Sequence, residues 1–133
     1  MISSYYHKFQ ELGVELQLDI QIGDEQLPNM ELCQILSNGL ENARDALAKL
    51  LQEQREAFVR MKYNKGHLII RIRNSCSSEL HVEKGEIPAT SKEGADHGFG
   101  LKTMLESAQK LGGDMLCYTE QEQFIVDVMI PIK

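Results

Sequence analysis

The segment 29–54 carries the longest helical pattern in the chain, and it narrows the folds that the sequence can adopt. Leucine and alanine recur in it at three- and four-residue spacing, which is typical of a helix with one buried face. The positions on that face are Leu32, Leu36, Leu40, Ala43, Leu47 and Leu50. Asn29 can cap the first turn. At 133 residues the chain forms one domain with one core, so this helix must pack against a layer that the other segments build.

Segments with strand-like alternation lie on both sides of this helix. The clearest is 14–22, where apolar and polar residues alternate and predict a strand with one buried face. Asn64-Lys65-Gly66 has the composition of a hairpin turn, and Gly112-Gly113 is expected to end a second helix. The predicted strands cover residues 14–22, 58–63, 68–74, 115–118 and 124–130.

The order of these segments predicts the fold class. The hairpins occupy one part of the sheet, and the helices must cross over it. We therefore expect an α/β two-layer sandwich, a mixed five-stranded sheet with its helices on one face. Residues 1–13 are expected to form a short helix, or the end of a longer one, closed by Gly13. Residues 75–97 show no periodicity, and a loop of this length is typical of a functional or mobile segment.

The stretch His97-Gly98-Phe99-Gly100-Leu101-Lys102 is predicted to be a glycine-rich turn that opens a helix running to Leu111. Two glycines one residue apart allow main-chain N–H groups to converge on one point. The helix that follows adds unsatisfied N–H groups and the positive end of its dipole. Together these groups favour an anion, above all a phosphate. The alternative is an ordinary helix start with a flexible lead-in and no ligand.

Asn38, Asn42 and Asp45 stack on one side of the long helix, since they lie four and three residues apart. A solvated helix face is one interpretation. Asparagine, however, is a poor helix former, and its amide oxygen is a hard neutral ligand that suits a magnesium ion carried by a triphosphate. A helix that shows two amides beside a phosphate-binding turn would form a site for a magnesium nucleotide.

Three further residues have both an ordinary and a functional interpretation. Asn74 ends a strand just before the long loop, where it either forms a turn or recognises the edge of an adenine with its donor and acceptor groups. Lys92 and Lys102 flank the glycine turn. Each is either a surface lysine or a point charge for a phosphate.

Composition excludes several classes of function. The net charge of −6 argues against nucleic acid, because no basic face is expected that could neutralise many phosphates. No apolar run is long enough to cross a membrane. Three scattered cysteines favour reduced thiols in the cytosol, buried as small apolar residues. The four histidines lack the spacing of a metal site, and the sequence has no motif of Walker-type ATP binding or of serine hydrolases.

Two motifs, in the expected order, resemble those of one superfamily. Residues 31–43, Glu-Leu-Cys-Gln-Ile-Leu-Ser-Asn-Gly-Leu-Glu-Asn-Ala, resemble the N-box of the GHKL ATPases, and His97–Lys102 resembles their second glycine box. The resemblance covers residues 14–133. It is nearest to sensor histidine kinases of the Agr-like quorum-sensing type, which carry an Asn after the third strand and a Thr-Ser-Lys before the glycine box. Asn74 and Thr90-Ser91-Lys92 match these features.

The resemblance implies a Bergerat-type ATP-binding fold over residues 14–133, with residues 1–13 as the connector from a missing dimerisation and phosphoacceptor domain. ATP and Mg²⁺ are the implied cofactors. Asn42 would hold the metal ion, Asn38 would lie against the phosphates, and residues 75–97 would form the ATP lid. The other implied cofactor-binding residues are Asn74 at the adenine, Lys92 at a phosphate, and Gly98, Phe99, Gly100, Leu101 and Lys102 in the glycine box.

Three positions depart from the common pattern of the superfamily. Asn74 stands where most relatives have an Asp, and Asp45 stands where many kinases place a basic residue. Asn38 occupies a position that in hydrolysing members, and in anti-sigma-factor serine kinases, resembles a Glu general base. An amide cannot accept a proton from water or from a serine hydroxyl, whereas a neutral histidine is already nucleophilic. Asn38 therefore favours a histidine kinase.

The resemblance accordingly implies the catalytic domain of a two-component sensor histidine kinase, which transfers the γ-phosphate of ATP to a histidine on a separate domain. The implied partners are that phosphoacceptor domain and a downstream response regulator, with no nucleic acid and no direct membrane contact. We expect a cytoplasmic location, a monomer in isolation and no catalytic residue within the chain, since the surroundings of His7 do not match the acceptor motif. The alternatives are a nucleotide-binding regulatory module without phosphoryl transfer and, third, an anti-sigma-factor-type serine kinase.

Overall fold

The computed structural model describes residues 2–23, 29–84 and 95–132. The helices are α1 (Ile2–Glu11), α2 (Asn29–Ala48) and α3 (Ala95–Lys110), with a short 3-10 turn at Gln52–Gln54. The strands are β1 (Gln17–Gln21), β2 (Ala57–Asn64), β3 (His67–Ser75), β4 (Asp114–Glu120) and β5 (Gln123–Pro131). All five predicted strands are therefore present, although most of their ends differ from the prediction by one or more residues.

The strands form one mixed sheet of five strands in the order β1-β2-β3-β5-β4. β1 runs parallel to β2, and the other neighbours are antiparallel. A parallel pair needs a crossover connection, and α2 supplies it between β1 and β2. The predicted hairpin at Asn64-Lys65-Gly66 is confirmed, since Lys65 and Gly66 take positive φ values of 51° and 84°, as tight hairpin turns require.

One face of the sheet is buried under the helices, which confirms the two-layer α/β sandwich. Along β2 and β3 the helix-facing residues are almost fully buried, while the alternating residues of the other face remain partly or fully exposed. The helix-facing residues of these two strands are Val59, Met61, Leu68, Ile70 and Ile72. On α2 they meet Leu32, Ile35, Leu36, Leu40, Ala43 and Leu47 in one core cluster.

The long helix is shorter than predicted, because α2 ends at Ala48 rather than near Gln54. A hydrogen bond between residues three apart follows the helix, since the Leu50 N–H donates to the Leu47 oxygen at 3.0 Å. The Arg55 side chain donates to the Leu50 oxygen at 3.0 Å and to the Leu12 oxygen at 2.8 Å. The bonds to the Leu47 and Leu50 oxygens satisfy carbonyl groups that a continuing helix would have used, and the bond to Leu12 ties this turn to the end of α1.

The first strand also differs from its prediction. Val14 and Leu16 are buried, but Leu18 and Ile20 remain 43% and 42% exposed. β1 is an edge strand, so its outer end lies beyond the cover of the helices even though its cross-strand partners Val59 and Met61 are buried. Alternation correctly predicts a strand here, but it does not show how far the helical layer extends.

The helix predicted near the start of the chain is present as α1, Ile2–Glu11. α1 ends in a turn that Gly13 closes with a φ of 74°. In this turn the Gly13 N–H donates to the Gln10 oxygen and the Val14 N–H donates to the Phe9 oxygen. Phe9 is fully buried and Tyr5 is 7% exposed. The helix therefore packs on the domain through these two rings.

Candidate functional site

Asn38 and Asn42 lie one turn apart on α2 and are both half-buried, while Asp45 one turn further is exposed. All three side chains belong to the helical layer and none faces the sheet core, which the buried Leu36, Leu40 and Ala43 occupy. The predicted stack of polar residues is therefore present at the margin between core and solvent, where an amide can reach a ligand and remain fixed by its helix.

Gly39, between the two asparagines, determines how closely α2 approaches the sheet. A Cβ atom at this position would clash with the Ile72 side chain of β3 and would lie 3.1 Å from Cε of Met104 on α3. A glycine within a helix costs about 1 kcal/mol relative to alanine, so close packing is the physical reason for it. Its position sets the distance of Asn38 and Asn42 from β3 and α3.

The glycine-rich stretch lies inside a helix, and the predicted turn before the helix is wrong in this respect. α3 already begins at Ala95, so Gly98, Phe99 and Gly100 belong to its first two turns. Glycine can adopt helical dihedral angles at a cost of about 1 kcal/mol, and the burial of Leu101 and Met104 on this helix offsets that cost. The N–H groups without intrahelical acceptors are consequently those of residues 95–98, at the start of α3.

α3 lies directly against α2 at the predicted site. A Cβ atom on Gly100 would lie 4.0 Å from the main-chain oxygen of Asn38. Further along, Ser107 Oγ donates to Oε1 of Gln34 at 3.2 Å. Leu101 is 2% exposed and Met104 is fully buried, whereas Lys102 is exposed. The turn of α2 that carries Asn38 therefore lies against Gly100, and Leu101 anchors α3 to the core.

Asn74 is buried at the end of β3, with only 2% of its surface exposed. It follows Leu68, Ile70 and Ile72 at every second position, so it lies on the helix-facing side of the sheet. Its Nδ2 donates to the Ser75 oxygen at 2.9 Å. That bond orients the amide and leaves Oδ1 as the end that can accept a hydrogen bond. The location excludes the simple turn role that the sequence left open.

The chain after Asn74 is held firmly in place. Ser75 Oγ accepts from Glu56 N–H at 2.9 Å, and Cys76 N–H donates to the Glu122 oxygen at 3.0 Å. Val82 is buried and bonds with Thr119 of β4 through its N–H and its carbonyl oxygen. The part of the predicted loop up to residue 84 is thus attached to both β4 and the β4–β5 turn.

The cysteines divide into two kinds. Burial raises the pKa of Cys117 to about 11, and burial together with Glu122 raises the pKa of Cys76. Both thiols therefore stay protonated at neutral pH and behave as small apolar residues. Cys33 is exposed on α2, so the prediction that all three cysteines are buried is wrong for this residue.

Other predicted features lie outside the described residues, namely Thr90, Ser91 and Lys92 and most of the second half of the predicted lid. Within 2–23, 29–84 and 95–132, no group of three or more His, Cys, Asp or Glu residues is arranged to hold a metal ion. A divalent ion here would depend on amide oxygens and on oxygens brought by a ligand. No helix in the described ranges is long and apolar enough to span a membrane.

The sequence did not point to the contacts between α1 and the asparagine-bearing helix. Tyr5 Oη donates to the main-chain oxygen of Ser37 at 3.4 Å, and Lys8 Nζ lies 3.5 Å from Glu41. Ser37 and Glu41 are the immediate neighbours of Asn38 and Asn42. Only the aromatic spacing of Tyr5 and Phe9 hinted that α1 packs on something, and it could not show what.

Comparison with known proteins agrees with this arrangement. The model of the GHKL domain family matches residues 27–131, and the chain belongs to that family. No curated protein sequence matches the chain.

Solved structures give the same fold. The catalytic domain of histidine kinase ThkA aligns with a TM-score of 0.74 and 16% identity, over 98% of this chain and 90% of that one. The mycobacterial sensor histidine kinase MprB aligns with a TM-score of 0.74 and 13% identity, over 99% and 92% of the two chains. Acinetobacter baumannii histidine kinase AdeS aligns with a TM-score of 0.66 and 12% identity, over 99% and 63%. The fold is therefore that of histidine kinase catalytic domains.

Proposed function

We propose that this chain is the ATP-binding catalytic domain of a sensor histidine kinase of the Agr-like type. One observation carries the proposal: Gly100 of α3 lies against Asn38 of α2, one turn from Asn42, in a chain of the GHKL family. Two amides and a helix N-terminus next to each other suit a triphosphate with its metal ion.

Each residue of the site has a definite role in this proposal. The amide oxygen of Asn42 binds Mg²⁺, and Asn38 contacts the phosphates that share the ion. The N–H groups at the start of α3, Gly98 among them, receive the phosphate chain, and Phe99 and Gly100 continue the helix behind them. Lys92 and Lys102 add positive charge. Asn74 accepts a hydrogen bond from the adenine amine through Oδ1, because its Nδ2 is occupied by Ser75.

The phosphoryl group passes to a histidine that lies outside this domain. The neutral imidazole nitrogen attacks the γ-phosphorus, the bond to the β–γ bridging oxygen breaks, and ADP leaves with the electron pair. Asn38 supplies no base for this step, and none is needed. Residues 1–13 serve as the connector to the acceptor domain. A response regulator is the expected downstream partner, and ThkA, which shares the fold, has been solved in complex with response regulator protein TrrA.

A second function is a nucleotide-binding regulatory module without phosphoryl transfer. It is favoured by Asn74, because a neutral amide replaces the carboxylate that most relatives use at the adenine and binds the base less strongly. An anti-sigma-factor-type serine kinase is a third candidate function, because it shares the fold. It ranks last because it needs a general base at the position that Asn38 occupies.

Phosphoryl transfer in trans separates these functions. The domain is mixed with a separately produced dimerisation and phosphoacceptor domain, a helical hairpin in this family, with ATP labelled on the γ-phosphate, and with magnesium. Acid-labile label on the hairpin, lost when its histidine is replaced by Gln, supports the kinase. Binding of ATP without transfer favours the regulatory module, and acid-stable label favours the serine kinase. Wild type without magnesium serves as the blank.

A further inference from the structure

α1 contacts α2 at the turn that carries the two asparagines of the proposed nucleotide site. The Tyr5 hydroxyl donates to the main-chain oxygen of Ser37 at 3.4 Å, and Ser37 directly precedes Asn38. Lys8, three residues further along α1, places its Nζ 3.5 Å from Oε1 of Glu41, which directly precedes the second asparagine. Neither Tyr5 nor Lys8 lies in the segments that resemble GHKL motifs.

Tyr5 restrains the peptide group to which Asn38 is attached. The oxygen of Ser37 and the Cα atom of Asn38 belong to one planar peptide group, so a donor that holds the oxygen also holds that Cα atom. A carbonyl oxygen has two lone pairs, and this bond therefore adds to the bond within the helix. The Tyr5 ring is 7% exposed and packs in the same core cluster as Phe9. Asn38 is thus tied to the core through α1.

The Glu41 carboxylate lies between two cations. Lys8 of α1 lies 3.5 Å from it, and Arg44 of α2 lies 3.4 Å from it. These side chains are 35–40% exposed, and ion pairs of that exposure contribute little to stability. Their effect on a charged ligand is larger, because Glu41 lies one turn after Asn38 on the same side of α2. Without Lys8, the Glu41 carboxylate would repel a nearby phosphate with one counter-charge fewer.

The side chains of Tyr5, Lys8 and Glu41 form one connected group. Lys8 Nζ lies over the Tyr5 ring, 4.6 Å from its centroid, which is within the range of a cation–π attraction. Burial, and then the charge of Glu41, raise the pKa of Tyr5 to about 12, so the Glu41 carboxylate also acts on the Tyr5 hydroxyl. A displacement of α1 therefore changes both of its contacts with α2 at once.

We propose that Tyr5 and Lys8 are positioning residues of the nucleotide site, which restrain the asparagine-bearing turn of α2 and keep the charge of Glu41 compensated beside the phosphates. This inference rests on the magnesium–ATP site proposed above. It makes α1 a control point for nucleotide affinity, because lifting α1 from α2 releases the turn and uncovers the carboxylate together. Since residues 1–13 are the proposed connector, a movement of the acceptor domain reaches the phosphate-binding turn through these side chains.

The test is calorimetric titration with magnesium ATP of wild type, Tyr5→Phe, Lys8→Gln and the double variant. We expect each single variant to bind more weakly than wild type, and the double variant to bind at least about fivefold more weakly. Added salt should reduce the effect of Lys8→Gln, because its ion pair is partly exposed. Lys8→Arg keeps the charge and should bind within about twofold of wild type.

Matched controls make the same chemical changes elsewhere. Tyr6→Phe removes a hydroxyl from the neighbouring, partly exposed ring of α1, and Lys65→Gln removes a positive charge from the exposed β2–β3 hairpin. Both should bind magnesium ATP within about twofold of wild type. Adenosine, which carries no phosphate, should bind the double variant of Tyr5 and Lys8 as it binds wild type in an NMR titration, because the restrained turn faces the phosphates.

The outcomes separate the positioning role from the nucleotide site. If wild type binds magnesium ATP, the positioning role is overturned by a double variant that binds equally well or by controls that weaken binding as much. An equal loss of adenosine binding also overturns it, since that result indicates general loosening of the domain. A wild-type chain that does not bind ATP would overturn the nucleotide site itself, and the positioning role with it.

Discussion

Gly100 of α3 packs against the main-chain oxygen of Asn38 on α2, where a Cβ atom added to the glycine would make ordinary van der Waals contact at 4.0 Å. This contact packs together the two segments that resemble GHKL motifs, which lie more than 50 residues apart in the sequence. Gly39 brings the same turn of α2 against Ile72 of the sheet. Gly39 thus sets how closely α2 approaches β3 and α3, whereas Gly100 leaves room for a side chain.

The two glycines should respond differently to alanine. The methyl group added in Gly39→Ala pushes Ile72 and Met104 away from α2, which should lower the free energy of unfolding by about 1–3 kcal/mol. Gly100→Ala meets only ordinary van der Waals contact and gains helix propensity, so stability should stay the same or rise by up to about 1 kcal/mol. Urea unfolding followed by circular dichroism measures both. A Gly39→Ala variant as stable as wild type would show that α2 does not pack this tightly.

Asn74 should determine the choice of base. Asn74→Ala removes the buried amide that accepts from the adenine amine, which should weaken ATP binding by about 1–2 kcal/mol, or roughly tenfold. GTP lacks that amine and should be affected little, so the preference for ATP over GTP should fall by the same factor. Calorimetric titration with both nucleotides tests this. An unchanged ATP/GTP ratio would mean that Asn74 does not read the base.

Tyr5 should make stability depend on pH in the alkaline range. Burial, and then Glu41, raise the pKa of Tyr5 to about 12 from its ordinary value of 10.0. The folded state therefore holds the proton more tightly, and this contribution to stability is complete below pH 10 and is lost as the pH rises through about 12. Tyr5→Phe should flatten this part of the stability curve. Urea midpoints at pH 9 and pH 11 for both proteins measure it, and parallel declines would contradict the assignment.

The thiols should react at two rates. Cys33 is exposed, while Cys76 and Cys117 are buried with pKa values raised by burial. A thiol reagent such as dithionitrobenzoate should modify one cysteine rapidly and the other two only on unfolding. Cys33→Ser should abolish the fast phase and leave the slow phases unchanged. A fast phase that survives in this variant would show that β4, or the segment just after β3, opens more readily than the burial of its cysteine indicates.

The sequence predicts the sheet well because alternation of apolar residues is a local property of each strand. The same alternation wrongly predicts that Leu18 and Ile20 are buried. Their exposure depends on where the helical layer ends, which is a property of the whole fold. The end of α2 was also missed, because Arg55, which bonds to the Leu50 carbonyl, acts from outside the helix.

The site was predictable in its residues more than in its geometry. Asn38, Asn42 and the glycine box could be recognised from spacing and resemblance. The start of α3 at Ala95 could not be predicted, because glycine permits both a turn and a helix and packing decides between them. Gly39 was overlooked, although a glycine in the middle of a leucine-rich helix is itself a sign of close approach.

The most direct test is calorimetric titration of the chain with ATP, with and without magnesium, for wild type, Asn42→Ala and the matched control Asn64→Ala. Asn64 is exposed in the β2–β3 hairpin, far along the chain from both motifs. We predict magnesium-dependent binding for wild type and control, and binding at least about tenfold weaker for Asn42→Ala. Three results would contradict a magnesium–ATP site between α2 and α3. They are wild-type binding that does not depend on magnesium, no binding at all, and an Asn42→Ala variant that binds ATP as tightly as the control.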